Sequence, residues 1–129
     1  MTTKSKTRPT LWLRGVLPIR LPSTANLREH WATRAKRTKI HRMLGKNAAR
    51  TLLRGLQDEC VEDQIRVRLI RVAPKPLDDD NLASAFKGIR DGVADALCFD
   101  DGDPRLTWIY AQEKRSEYGI RIEIQSFRD

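Results

Sequence analysis

The sequence contains no long hydrophobic run. No apolar stretch approaches the roughly 20 residues that a helix needs to cross a bilayer, so no membrane partner is expected. Residues 1–10 also lack the apolar block of a secretory signal peptide, and we therefore expect a cytoplasmic protein. Only two cysteines occur, Cys60 and Cys98, which argues against a disulfide framework or a cysteine-based metal knuckle and favours reduced, partly buried thiols.

Histidines and catalytic sequence motifs are scarce as well. The two histidines, His30 and His41, both lie in basic sequence, which argues against a zinc site. The alternating ligands and closing glutamate of an EF-hand are missing around Asp101, and neither a phosphate-binding glycine loop nor a nucleophile elbow occurs. These absences leave carboxylates as the candidate metal ligands, and no small-molecule cofactor is expected.

Positive charge is abundant and unevenly distributed. The net charge is +8, yet the first 57 residues hold fourteen Lys and Arg against one acid, while residues 58–129 hold eleven bases and sixteen acids. A basic surface attracts phosphate polyanions with a salt-sensitive affinity that does not depend on their sequence. The first half of the chain therefore predicts polyanion binding, with an ordinary solvated helix face as the alternative.

Hydrophobic periodicity predicts an α+β domain with a mixed sheet of about four strands and two main helices. The predicted strands cover residues 10–21, with a bulge at Gly15, and residues 64–72, 105–113 and 118–125. The predicted helices run from Trp31 or Thr33 to Leu53 and from Asp80 to Leu97. At 129 residues the chain fits one small domain, which we assign to residues 10–129 behind a flexible N-terminus at residues 1–9.

Both predicted helices are amphipathic, and the first is strongly basic. Its apolar positions are Ile40, Met43, Leu44, Ala48 and Leu52. Its other sides carry Arg34, Lys36, Arg37, Lys39, Arg42, Lys46, Arg50 and Arg54. The second helix has an apolar stripe of Leu82, Ala85, Phe86, Ile89, Val93 and Leu97. On its opposite face Lys87 projects the same way as Asp80, and Asp91 is interpreted as an i, i+4 ion-pair partner of Lys87.

Two acidic clusters bracket the second predicted helix. The first acidic cluster is Asp78-Asp79-Asp80, and the second acidic cluster is Asp100-Asp101-Gly102-Asp103. Adjacent like charges repel, and a bound cation relieves that repulsion. Residues two apart in extended or turn backbone can point the same way, so Asp78 and Asp80 could share one Mg²⁺ or Mn²⁺ ion. A further ligand from Asp100 or Asp101 would require the helix and its neighbouring strands to fold back.

These acidic residues carry a resemblance to a known family. The run Leu77-Asp78-Asp79-Asp80-Asn81-Leu82, continued by Asp95-Ala96-Leu97 and Phe99-Asp100-Asp101, resembles the D-x-D-N-L, D-A-L and D-D elements of RusA-family Holliday junction resolvases. Leu21-Pro22-Ser23, followed by Asn26, is similar to that family's loop after the first strand. The likeness extends over residues 11–124, and its specific part lies between the two acidic clusters.

The resemblance implies a RusA-like fold and a Mg²⁺-dependent endodeoxyribonuclease, with Mn²⁺ as a possible substitute. It assigns metal-binding and catalytic roles to Asp78, Asp80 and Asp101, with Asp100 as an alternative metal ligand. The family's catalytic lysine falls on Ser84, so we predict that Lys87, one turn further along the same face, supplies that charge. The phosphate contacts are then expected from the basic helix: Arg34, Lys36, Arg37, Lys39, Arg42 and Lys46.

The implied substrate is branched DNA, a four-way junction cut symmetrically by a homodimer. The dimer is an implication of the resemblance alone.

Two alternatives stay open. One is a non-catalytic or weakly catalytic nucleic-acid-binding protein of the same fold, which the departure at Ser84 favours. The other is an interaction module whose acidic loops contact a basic protein, while the basic helix is only surface.

Overall fold

Seven helices and strands make up the described part of the chain. A computed structural model describes residues 11–22, 31–54, 64–100 and 102–127. The elements are β1 (Leu11–Leu17), α1 (Trp31–Leu53), β2 (Gln64–Ala73), α2 (Asp79–Ala85), α3 (Lys87–Leu97), β3 (Leu106–Lys114) and β4 (Gly119–Phe127). The predicted flexible N-terminus, residues 1–9, lies outside the described residues. Among the described helices, none combines the length and apolarity needed to cross a bilayer.

The four strands form one mixed sheet in the order β1-β4-β2-β3. Strand β4 is antiparallel to both β1 and β2, and β2 is parallel to β3. A parallel pair needs a crossover connection, which α2 and α3 provide between β2 and β3. The prediction of a small α+β domain with a four-stranded mixed sheet is confirmed.

The predicted bulge at Gly15 is wrong. Pairing of β1 with β4 runs without interruption from Leu11 opposite Ser126 to Leu17 opposite Ile120, with Gly15 opposite Ile122. Gly15 instead makes room for α1, because a Cβ atom at this position would lie 3.1 Å from the Cδ2 atom of Leu52. Gly15 therefore allows α1 to pack closely on the sheet, and it does not form a β-bulge.

The single predicted helix from Asp80 to Leu97 is two helices that meet at Phe86. The backbone there tightens (φ −86°, ψ −1°), and the Phe86 N–H donates to both Leu82 and Ala83 carbonyl oxygens at 3.2 Å. The next turn resumes at once, since the Arg90 N–H donates to the Phe86 carbonyl at 2.8 Å. The predicted pair of main helices is therefore corrected to three helices, with α2 leading directly into α3.

The apolar stripe of α2 and α3 forms the centre of the core. All six predicted stripe residues are buried, and Phe86, Ile89 and Val93 are fully inaccessible to solvent. They pack on the face of the sheet that carries Ile65, Val67, Leu69, Ile120, Ile122 and Ile124. Helix α1 lies against α3, and its predicted apolar stripe is only partly correct. Ile40 and Met43 are 43% and 55% exposed, whereas Gly45 and Ala49 are buried.

Glycines allow α1 and α3 to approach backbone to backbone. A Cβ atom on Gly92 would collide with the carbonyl oxygen of Arg42, and one on Gly45 would collide with that of Ile89. At Gly88 a Cβ atom would lie 2.6 Å from the Cβ of His41. The contacts advance in the same direction along both helices, so α1 and α3 run roughly parallel. This crossing brings the basic side chains of α1 next to the polar face of α3.

Helix α3 ends in a Schellman motif. The N–H of Phe99 donates to the carbonyl of Ala94 at 3.2 Å, and the N–H of Cys98 donates to that of Asp95 at 3.1 Å. Cys98 is the residue in the left-handed region (φ 62°), a position that usually holds glycine. Its thiol is exposed, so the prediction of a partly buried Cys98 is wrong. Cys60 lies outside the described residues.

Candidate nucleic-acid interface

The first acidic cluster lies at the start of α2. Asp78 is extended (φ −63°, ψ 156°) and immediately precedes the helix, while Asp79 and Asp80 occupy the first turn. All three side chains are exposed, and the Asp78 carboxylate does not cap the helix. Negative charge at a helix N-terminus is favoured by the helix dipole, which offsets part of the mutual repulsion. The three carboxylates form no ion pair with another described residue, so they are open to solvent and to a ligand.

Two side chains that the sequence analysis did not single out fix the backbone leading to Asp78. The Gln112 amide accepts a hydrogen bond from the Leu77 N–H and donates one to the Leu77 carbonyl, both at 2.7 Å. Arg71 donates to the carbonyl oxygens of Leu21 at 2.8 Å and Lys75 at 2.7 Å. These bonds attach the loop before α2 to β3 and β2. The first acidic cluster therefore projects from an anchored segment.

The burial of Arg71 could have been predicted from the alternation of residues along β2. It shares odd numbering with Ile65, Val67 and Leu69, and alternate residues of a strand lie on the same face of the sheet. The structure accordingly buries Arg71 to 7% exposure beneath the loops, and burial lowers the pKa of its guanidinium. Gln112 carried no comparable signal, because its partner in the fold is a loop backbone that only the tertiary structure brings near.

The second acidic cluster lies beyond the far end of α3. Asp100 is exposed, and Asp101 lies outside the described residues. Asp103 is engaged locally: its carboxylate accepts hydrogen bonds from the Arg105 side chain at 2.9 and 3.1 Å and from the Arg105 backbone N–H at 2.9 Å. The bond from the Arg105 side chain is the main reason that the pKa of Asp103 falls to about 2. Asp103 therefore stabilises its own turn.

The described residues do not bring the two acidic clusters together. Helices α2 and α3 separate Asp80 from Asp100 along the chain. Within the described ranges, no group of three or more His, Cys, Asp or Glu side chains could hold a metal ion. Asp78 and Asp80 remain as a pair of neighbouring carboxylates, and the structure does not bring Asp100 to them.

A cleft opens where α1 passes α2 and α3, one helical turn beyond Asp80. Its volume is about 350 Å³, and we call it the basic cleft. It is lined by Arg34, Arg37, Thr38, His41, Ser84, Ala85, Lys87 and Gly88. Every ionised side chain among the described lining residues is positive, so the cleft suits a negatively charged group. The first acidic cluster and this basic cleft are thus neighbours along α2.

Lys87 stands at the boundary between the basic cleft and a second, mixed-charge cleft of about 270 Å³. Its ammonium lies 3.3 Å from the Asp91 carboxylate, which confirms the predicted i, i+4 ion pair. The mixed-charge cleft is lined by Arg42, Lys87, Asp91, Ala94, Asp95, Phe99 and Asp100. The lysine side chain is 71% exposed, so its pairing with Asp91 leaves it accessible to a ligand as well.

The six predicted phosphate-binding residues do not form one surface. Arg34 and Arg37 line the basic cleft, whereas Lys36 and Lys39 are exposed and, at 100° per residue, project from the other side of α1. Lys46 is half-buried further along the helix. Arg42 instead donates to both carboxylate oxygens of Asp95, at 2.6 and 2.9 Å, and its hydrogen bond holds the pKa of that carboxyl below its usual value.

Comparison with known proteins adds no relative. No protein-family model matches the chain, and no curated protein matches it either. The function proposed below rests on the residues of this chain: exposed Asp78 and Asp80 at the start of α2, and a cleft lined by Arg34, Arg37 and Lys87 one turn beyond Asp80.

Proposed function

We propose that this protein is a Mg²⁺-dependent, structure-specific endodeoxyribonuclease that cleaves four-way DNA junctions, as its resemblance to the RusA family implies. The observation that supports this best is the basic cleft opening one helical turn from Asp78 and Asp80. Phosphodiester cleavage needs carboxylates for a metal ion and positive groups for the phosphate, and here they adjoin. The resemblance implies the reaction, and the structure supplies the carboxylates and the adjoining basic cleft at which it would occur.

The carboxylates suit a magnesium ion that is shared with the substrate. Magnesium commonly binds through one or two carboxylates, several waters and substrate phosphates rather than in a cage made only of protein ligands. Asp78 and Asp80 would hold it, and Asp101, whose position lies outside the described residues, would complete the set that the resemblance implies. When bound, the ion would activate water and stabilise charge on the phosphate, and Mn²⁺ could replace it.

The basic residues would bind and orient the DNA. Arg34 and Arg37 can hold a phosphate in the basic cleft, and Lys36 and Lys39, on the other side of α1, are predicted to contact other phosphates of the junction. Lys87, in the absence of a lysine at position 84, would add positive charge beside the reacting phosphate. Its 71% exposed side chain also pairs with Asp91, which lines the mixed-charge cleft, so this weak surface pair would have to yield for the ammonium to reach the phosphate. A homodimer would present two such sites to the two strands of a junction.

The alternative of a non-catalytic nucleic-acid-binding protein is favoured by two observations. Asp100 does not join Asp78 and Asp80 in a metal-binding group of described residues, and Ser84 stands where the resemblance implies a lysine. Both features would weaken catalysis, and neither would remove the basic cleft. An interaction module that has no use for DNA leaves the cleft's uniform positive charge unexplained.

A cleavage assay on a synthetic four-way junction separates these functions. We expect symmetric nicks near the branch point in Mg²⁺ or Mn²⁺ and intact strands in EDTA, because hydrolysis would require the ion. A linear duplex of the same sequence is the control for structure specificity. Junction binding without cleavage in either metal would favour the non-catalytic protein, and absence of binding at moderate salt would contradict both nucleic-acid functions.

Replacement of Lys36 and Arg37 by alanine should weaken junction binding and flatten its salt dependence. Two lost phosphate contacts would reduce the slope of log K against log salt concentration by about 2. The measurement is fluorescence anisotropy in EDTA across a salt series. A variant with Arg50 and Arg54 both changed to alanine is the matched control, because it loses the same charge from exposed positions outside both clefts. Equal slopes for the two double variants would place the DNA on another surface.

A further inference from the structure

A histidine forms part of the wall of the basic cleft. His41 is half-buried on α1, and Gly88 of α3 approaches its Cβ so closely that a methyl group there would lie 2.6 Å away. Arg37 lies one turn earlier on the same helix, and Lys87 reaches the cleft from α3. His41 thus stands among cations, at a place where an anion would enter.

We propose that the basic cleft binds one phosphodiester group of a DNA strand, and that His41 takes up a proton when this group enters. This inference rests on the proposed DNA-binding function and adds a residue and a proton to it. The residues that would contact the phosphate are Arg34, Arg37 and Lys87, with the imidazolium of His41 as a further donor. None of these roles requires the metal ion.

The lining explains why a proton should accompany the ligand. From α1, Arg34 and Arg37 face the cleft; from α3, Lys87 faces it, itself paired with Asp91; α2 contributes the uncharged Ser84. Among the described lining residues there is no carboxylate to stabilise a charged imidazole. Burial, and then the positive charge of Arg37, lower the pKa of His41 below its usual 6.5. A phosphate bound in the cleft would counteract both effects on the pKa, because its negative charge favours the protonated imidazole.

The hydroxyl groups of the cleft do not replace this proton. The Thr38 hydroxyl already donates to the Arg34 carbonyl at 3.0 Å, so it can only accept a further hydrogen bond. Ser84 is exposed and is the one hydroxyl in the lining with no hydrogen bond to a described residue. The Ser84 O–H could donate to the phosphate, but it carries no charge, whereas a protonated His41 would add a charged N–H donor to those of Arg34, Arg37 and Lys87.

A DNA strand is the occupant that the proposed function implies for the basic cleft. Arg34 and Arg37 line the cleft from one side of α1, while Lys36 and Lys39 are exposed on the other side of that helix and lie outside the cleft. A strand would place one of its phosphates in the cleft. Its phosphodiesters also keep one negative charge throughout the pH range in which His41 titrates. Any effect of pH on binding would therefore come from a titrating group of the protein and not from the DNA.

The sign of the pH effect follows from linkage. In the free protein the pKa of His41 is depressed, and in the complex the phosphate raises it, so the complex holds more protons. Affinity should therefore increase as the pH falls through the bound pKa and level off below the free pKa. The increase cannot exceed about tenfold per pH unit, because one proton is linked to binding.

The test uses the full chain in EDTA with a twelve-residue oligothymidylate that lacks terminal phosphates. The chain has two histidines, so ring signals in an NMR titration are few, and His41→Gln assigns them. We expect the His41 midpoint below 6.5 without oligonucleotide and about one pH unit higher at saturation. Binding by anisotropy should tighten several-fold between pH 7.5 and 6.0, within the tenfold limit per pH unit.

Variants and a competing ligand make the outcomes distinct. His41→Gln should bind with little dependence on pH, whereas His30→Gln, the matched control, should keep the dependence. If the oligonucleotide binds and the His41 midpoint stays fixed, the inference is wrong while DNA binding stands. If inorganic phosphate moves the midpoint equally and the oligonucleotide binds no more tightly, the site is for a free anion. If the shift occurs but junctions are never cleaved, the inference stands and the nuclease function fails.

Discussion

Asp80→Asn is expected to abolish junction cleavage while leaving junction binding intact or somewhat tighter. The substitution removes one of the two carboxylates that would hold the metal ion, and loss of one such electrostatic group typically costs at least about a hundredfold in rate. It also removes a negative charge near the DNA, where a unit charge at about 4 Å in water is worth about 1 kcal/mol. Cleavage rates in Mg²⁺ and binding constants in EDTA measure the two effects separately.

Asp79→Asn is the matched control for that experiment. It removes the same charge from the same exposed turn, but Asp79 lies between the two residues predicted to share the ion. We expect cleavage within a few-fold of the unmodified protein. Both variants should fold normally, since substitutions at exposed sites usually change stability by less than about 0.5 kcal/mol. Full cleavage by Asp80→Asn, or equal loss in both variants, would contradict the metal role of Asp80.

Gly92→Ala is expected to destabilise the fold severely. The new methyl group would collide with the Arg42 carbonyl oxygen and lie 2.6 Å from the Lys46 backbone nitrogen, and neither is a flexible side chain that can move aside. Helices α1 and α3 would have to separate, which overpacking data suggest costs about 3 kcal/mol. For a domain of this size the melting temperature should fall by on the order of 10 °C. Urea and thermal unfolding by circular dichroism are the measurements.

Gly102→Ala provides the contrast. A Cβ atom there would have no neighbour within 4 Å, and no described glycine has a positive φ that would strain an alanine. We expect an unchanged or slightly higher stability, because alanine restricts the unfolded chain. If Gly92→Ala unfolded at the same urea concentration as Gly102→Ala, α1 and α3 would not be packed as closely as described. The basic cleft, whose walls those helices form, would then also be in doubt.

Much of the fold was predictable because its elements follow local periodicity. The three- and four-residue spacing in α2 and α3 identified the buried face correctly. The alternation in β2 identified Ile65, Val67 and Leu69 as buried, but the prediction grouped Arg71 with the partly exposed Arg66 and Arg68, and Arg71 is buried. The break at Phe86 escaped prediction because the apolar stripe passes through it without interruption, and Phe86 is buried there beside Tyr110, with ring centroids 5.9 Å apart. Likewise, Ile40 and Met43 matched a helical stripe that the fold does not use.

The candidate site was predictable only in its components. The acidic clusters, the basic helix and the Lys87–Asp91 pair are visible as residue patterns, since they depend on spacing along one element. The pairing of Arg42 with Asp95 and the clamp of Gln112 on Leu77 join residues 53 and 35 positions apart. Such contacts depend on the order of strands and the crossing of helices, which no local pattern specifies.

The sequence by itself determined the secondary structure, the charge asymmetry and which face of α2 and α3 is buried, because these depend on residues within a few positions of one another. Only the tertiary structure decided that Asp100 does not join Asp78 and Asp80 in a metal-binding group of described residues, and that Arg37, His41 and Lys87 line one cleft. The physical reason for the cleft is the glycine-mediated contact of α1 with α3. That contact fixes which side chains of two segments distant in sequence meet.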